Sequence, residues 1–87
     1  QAHMKYRVIL PRSLEKKLDK LSAANAERIL NRLEQLAENP RPADCKKLAG
    51  RVGYRVRVGN YRVIYDIYDQ NSQVVIITIG HRREVYR

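Results

Sequence analysis

The sequence predicts an α+β domain of order β-α-α-β-β-β, in which a helical hairpin packs on one face of a mainly antiparallel four-stranded sheet. Three stretches carry this reading. Residues 53–65, GYRVRVGNYRVIY, set a Gly59-Asn60 link between two β-branched runs, a strong short-range hairpin signal. Residues 13–39 carry leucine and isoleucine at helical spacing. Residues 73–79 return to strand composition after a polar turn at 69–72.

The chain has 87 residues, enough for one domain with a modest core. Residues 1–4, Gln-Ala-His-Met, read as a cloning remnant before a natural start at Met4, which leaves 5–87 as a single domain. No apolar run approaches the length of a membrane span, and no signal peptide follows Met4. The lone Cys45 cannot form an intramolecular disulfide, which suits a reducing cytoplasm. It has no second Cys or His at ligand spacing and reads as inert.

Residues 5–10 (KYRVIL) form the first strand, with Tyr6, Val8 and Leu10 on one face, and Pro11 ends it. Ser13 is placed to cap the first helix, where Leu14, Leu18 and Leu21 follow at i, i+4 and i+7. After a weak break at 22–25, Ala26, Ile29, Leu30, Leu33, Leu36 and Ala37 make the apolar stripe of a second helix. Asn39-Pro40 stops that helix. A helix packed on a sheet explains the stripe better than a groove for a partner helix does. Residues 41–51 connect to the hairpin, with Leu48 as the expected core anchor.

Across the two-residue turn, Val58 faces Tyr61, Arg57 faces Arg62 and Val56 faces Val63. Strand alternation then puts Tyr54, Val56, Val58, Tyr61, Val63 and Tyr65 on one face, with Arg55, Arg57 and Arg62 on the other. Directly opposed like charges are unfavourable in a sheet, so an anion is the expected complement. For the last strand, the parity that avoids a buried Thr78 puts Val75, Ile77 and Ile79 on the helix side. It requires an odd-length turn. It sends Gly80 and Arg82 to the arginine face and leaves Ile64, Tyr68, Val74 and Ile76 outward, an apolar patch suited to a protein partner.

The formal net charge is +9. Residues 46–87 hold nine Lys/Arg against three acids, while 5–45 hold nine against six, so the excess lies on the hairpin half. That distribution points to a polyanion, most simply nucleic acid, rather than to charge kept for solubility. Lys46, Lys47, Arg51 and Arg83 are candidate RNA contacts beside the strand arginines. No metal-ligand cluster and no phosphate-binding glycine loop is present, and no Ser/His/Asp arrangement can be built. Cleavage of RNA by its own 2′-hydroxyl fits this inventory. It needs alignment, neutralisation of a developing phosphorane and proton transfer, and arginine suits the second task. Tyr86 could stack on a base, and His81 is the side-chain type suited to proton transfer near neutrality. Plain RNA or DNA binding fits the same residues.

The order of elements, with KKLAG at 46–50, GYRVRVGNYRVIY at 53–65 and GHRREVYR at 80–87, resembles the RelE/ParE superfamily of type II toxin–antitoxin toxins, and within it the RelE branch. The likeness spans the chain from Met4. It implies a RelE-like fold of microbial-RNase type and a metal-independent, ribosome-dependent mRNA endonuclease. Such a toxin cuts A-site codons, needs no cofactor and is silenced by a cognate RelB-like antitoxin. By that likeness Arg55, Arg57, Arg62, Arg82 and Tyr86 are the catalytic set. Arg57 and Arg62 stabilise the phosphate, Arg82 serves the leaving oxygen and Tyr86 positions a base. RelE toxins can carry lysine at the two first-strand positions, where Arg55 and Arg57 stand here. Arginine is a poor base, so the general base is left among His81, Tyr86 and no discrete group. Other readings are a ParE-like inhibitor of DNA gyrase and a non-catalytic nucleic-acid-binding domain.

Overall fold

A computed structural model describes residues 5–81. In chain order the elements are β1 (Arg7–Ile9), α1 (Arg12–Asp19), α2 (Ala23–Glu38), β2 (Lys46–Lys47), β3 (Tyr54–Val58), β4 (Tyr61–Tyr68) and β5 (Gln73–His81). The sheet order is β1-β5-β4-β3-β2, with β1 parallel to β5 and every other neighbour antiparallel. The expected four strands are present, and the connector adds a short fifth at the sheet edge, where Lys46 and Lys47 pair with Arg55 and Tyr54.

Pro11, not Ser13, starts α1. Its extended backbone turns the chain out of β1, and its carbonyl accepts from the amides of Leu14 and Glu15 at 2.9 and 3.1 Å. Ser13 already lies inside the first turn. Ser22 does cap α2, its Oγ accepting the Asn25 amide at 3.2 Å. Asn39 leaves α2 in an extended conformation and Pro40 follows. Of the predicted stripe, Ile29, Leu33, Leu36 and Ala37 are buried, whereas Leu30 is half exposed. A 3.6-residue period leaves a stripe this wide with one flank in solvent.

The core lies between the helices and one sheet face. Leu14 and Leu18 of α1 and Ile29, Leu33 and Leu36 of α2 cover Val56, Val63, Tyr65, Ile67, Val74, Ile76 and Ile79. The hairpin register is the predicted one in every pair, from Val58–Tyr61 to Tyr54–Tyr65.

The last strand departs from the predicted parity. Four residues, 69–72, separate β4 from β5, and Ser72 takes a left-handed φ of 52°. With this even-length turn Val74 lies opposite Ile67 and Ile76 opposite Tyr65, so both enter the core. A bulge at Ile77 then inserts one residue, after which Thr78 pairs with Ile64 and Ile79 with Val63. Val74, Ile76 and Ile79 are therefore all buried, Thr78 is not, and Ile77 is half exposed. The outward patch shrinks accordingly. Val74 and Ile76 are core residues, and Ile64 is buried at 5% exposure, leaving only Tyr68 of the four in solvent.

Near Ile64 the connector folds back on itself. The Leu48 amide donates to the Gly53 carbonyl at 3.0 Å. Gly53 has φ of 125°, and a Cβ there would meet the Tyr65 carbonyl oxygen at 3.2 Å and Leu48 Cδ1 at 3.4 Å. Only glycine combines that conformation with so close an approach.

Candidate functional site

Partners in antiparallel register share a face, so the register places the cations. Lys46, Arg55, Ile64 and Thr78 form one row across the sheet, and Arg57, Arg62 and Gly80 form the next. Both rows lie on the face away from the helices. Cation opposes cation twice, at Lys46–Arg55 and at Arg57–Arg62. Arg57 is exposed, and Arg55 and Arg62 are half-buried. Gly80 presents only backbone beside Arg62. These fixed guanidinium forks can neutralise a phosphate from several directions.

Lys46 joins this face through β2, where the sequence predicts only a connector. The signal that could have found it is the pairing of a short basic run with the hairpin's outer edge. Lys47, opposite Tyr54, falls on the other face, and Arg51 is exposed in the connector. Thr78 adds a hydroxyl to the basic face that the sequence reading did not count as a site residue. Arg82, Arg83 and Tyr86 lie outside the described residues.

His81 is separated from the arginines. It pairs with Tyr61, whose ring it meets edge to face at 6.0 Å and 76°. Tyr61 alternates with the buried Val63, so this pair belongs to the helix side of the sheet. Among the described residues, no three His, Cys, Asp or Glu side chains gather as a metal site, and no helix is long and apolar enough to cross a membrane.

The opposite end of the hairpin is held by a polar clamp. Arg41 donates to both oxygens of Asp69, at 3.2 and 2.9 Å, and through Nε to the Tyr54 hydroxyl at 3.4 Å. Its guanidinium lies 5.5 Å from the centre of the Tyr54 ring, which stacks on Tyr65 at 5.9 Å. The Tyr6 hydroxyl donates to Asp69 at 2.7 Å, and the Tyr65 hydroxyl to the Pro40 carbonyl at 2.7 Å. The Arg41 hydrogen bonds, then that of Tyr6, hold the Asp69 carboxyl down at about 2. The same contact with Asp69 raises the Tyr6 phenol, and burial pushes up that of Tyr65. The clamp ties β1, the connector, β3 and β4 together and so fixes the hairpin that carries the arginines. Nothing in the local sequence around Arg41 announces it.

A family described as the ParE toxin of type II toxin–antitoxin systems, parDE, matches residues 8–86. The RelE1 protein of Methanocaldococcus jannaschii is 32% identical over 88 residues, covering 97% of this chain and 98% of that protein. Among solved structures, the archaeal RelE–RelB complex from Pyrococcus horikoshii OT3 aligns with a TM-score of 0.77 at 29% identity, over 91% of this chain and 97% of that one. The intact E. coli RelBE toxin–antitoxin complex aligns with a TM-score of 0.73 at 28% identity, over 87% and 95%.

Proposed function

The chain belongs to the RelE/ParE superfamily, the toxins of type II toxin–antitoxin systems, and from that premise we propose that it is a ribosome-dependent mRNA endonuclease. It cuts the message at A-site codons and stops translation. The observation that supports this most is the double opposition of cations, Lys46–Arg55 and Arg57–Arg62, on the face away from the helices. A fold that sets like charges against each other is suited to an anion lying across them.

In this reading the RNA supplies its own nucleophile. The 2′-oxygen loses its proton and bonds to the adjacent phosphorus, and the bond to the 5′-oxygen breaks. The products are a 2′,3′-cyclic phosphate and a 5′-hydroxyl that has taken up a proton. Arg57 and Arg62 hold the non-bridging oxygens as their charge grows, and Arg55 and Lys46 draw the strand to the face. Arg82 serves the leaving oxygen and Tyr86 positions a base. His81 is on the helix side, so charge stabilisation carries most of the rate, and Tyr86 is the remaining candidate for proton transfer. A RelB-like antitoxin is the proposed partner, with Tyr68 and Ile77 as exposed apolar contacts, and the ribosome-bearing cytoplasm is the site of action.

Programmed ribosomes test the reading. Wild-type protein should cut within the A-site codon. Arg57→Ala, Arg62→Ala and Arg82→Ala should each lose about 10²-fold or more, the usual effect of removing one charge-stabilising donor. Absence of ribosome-dependent cutting by the wild type, or full cutting by all three variants, rejects it. The ParE description of the matched family keeps a second reading in view. Inhibition of gyrase supercoiling at stoichiometric protein, without message cleavage, would favour that one.

A further inference from the structure

A second basic recess lies between α2 and the outer edge of β3. β2 covers β3 only at Tyr54 and Arg55, so among the described residues the edge at 56–58 has no neighbouring strand. Along that edge α2 presents Arg28, Asn31, Arg32 and Gln35 at i, i+3, i+4 and i+7, one stripe of the helix. With Asp44, Arg57 and Val58 they line a groove of about 330 Å³. Arg28 reaches the hairpin turn, where its Nη1 lies 3.6 Å from the place a Cβ on Gly59 would occupy. Three guanidinium groups and two carboxamides thus face a single carboxylate.

That carboxylate sits on Arg32. Asp44 accepts from Arg32 Nη2, and the Arg32 Nη1 donates to Gln35 Oε1 at 3.1 Å. The Arg32 side chain is 18% exposed and that of Asp44 60% exposed. The cation is therefore set into the wall, and the anion lies over it at the mouth.

We propose that this groove seats the phosphate backbone of the RNA strand that flanks the cleavage point, and that Asp44 occupies the seat until RNA displaces it. The proposal rests on the nuclease reading above. Arg57 belongs to both the groove and the basic sheet face, so one cationic track runs from Lys46 and Arg55 past Arg57 to Arg32 and Arg28. A phosphodiester offers two non-bridging oxygens to a guanidinium, the geometry a carboxylate offers. The Asp44 carboxylate is the solvent-facing half of the pair, so a phosphate can exchange with it, and a polyanion that takes its place also releases counterions. Asn31 and Gln35 add donors that suit phosphate or sugar oxygens, without base specificity.

Fluorescence anisotropy with a labelled single-stranded 2′-O-methyl RNA, which cannot be cleaved, tests the proposal. Arg28→Ala should weaken binding about fivefold at low salt and reduce the slope of log K against log salt by about 0.7, one phosphate contact on a single strand. Asp44→Asn should tighten binding several-fold. Thermal melts check that both variants fold. Opposite signs for two exposed substitutions facing the same groove are not expected of a merely structural role. Binding by both variants equal to wild type, weaker binding by Asp44→Asn, or no binding by the wild type overturns the proposal. A separate cleavage assay on programmed ribosomes keeps the two readings apart. If wild-type protein fails to cut while the binding shifts hold, the nuclease reading falls and the groove stands as an RNA seat.

Discussion

Arg57 on β3 and Arg62 on β4 stand directly opposite each other on the same face of the hairpin, one residue from the fully buried Val56–Val63 pair. Like charges directly opposite each other are destabilising in a strand pair. The neighbouring valines bury their side chains on the other face and anchor the hairpin there. At the exposed Arg57 stability and function therefore pull in opposite directions.

Arg57→Thr separates the two. A β-branched residue suits the strand and removes the repulsion, so stability should rise by about 0.5 kcal/mol and Tm by about 2–4 °C. Cleavage of A-site codons should fall by about 10²–10³. Thermal melts and ribosome cleavage on the same preparations check both. A variant that is less stable and still active would show that the charge opposition has no functional purpose.

Ile76 and Ile77 report on the bulge. Ile76 is fully buried opposite Tyr65, whereas its neighbour is half exposed. Ile76→Ala should cost about 2–5 kcal/mol in urea unfolding. Ile77→Ala should stay within about 0.5 kcal/mol of wild type. The reverse order would mean that β5 keeps an uninterrupted alternation.

Those two residues also mark where sequence reading stops. The hairpin was fully legible, because a two-residue turn fixes the register and strict alternation fixes the faces. In β5 the run Val74-Val75-Ile76-Ile77 has no alternation to read, and a bulge leaves no signature in a string of β-branched residues. Turn length was the hidden variable, since an even turn followed by a bulge ends at Ile79 with the same parity as an odd turn without one. Of the candidate site, the arginine rows follow directly from the hairpin. The separation of His81 needed the β4–β5 register, and the Arg41–Asp69 clamp joins residues 28 apart in sequence, with no periodic pattern linking them. Lys46 is legible as a cation, but its face depends on a two-residue strand too short to predict.

His81→Gln tests whether the helix-side histidine takes part in proton transfer. Its pairing with Tyr61 puts the imidazole across the sheet from Arg62. Cleavage should stay within about threefold of wild type and the acid limb of the pH–rate profile should not move. A positioned general base contributes about 10²–10⁴. A loss of that size with a shifted acid limb would return His81 to the mechanism.

Asp69→Asn tests the clamp through its pH dependence. Hydrogen bonds from Arg41 and Tyr6 hold the folded-state carboxyl at about 2, against an ordinary value of about 3.9 in an unfolded chain. A depressed acid stabilises the fold while it is ionised, so the contribution is fully present above the unfolded value and is lost as pH falls through the folded one. The Tm difference between wild type and Asp69→Asn should thus be constant from pH 7 to pH 5 and close up between about pH 4 and pH 2. Tyr6 works in the opposite sense. Its phenol is raised by donating to Asp69, so its share persists through neutral pH and fades only above about pH 10. Tyr6→Phe should accordingly narrow its gap from wild type at alkaline pH, and its acid limb should be shallower than that of wild type but still present, because Arg41 still holds Asp69. Melts of the three proteins across pH 2–11 read both limbs. A difference between wild type and Asp69→Asn that does not change below pH 4 would show that the clamp is not ionic in solution.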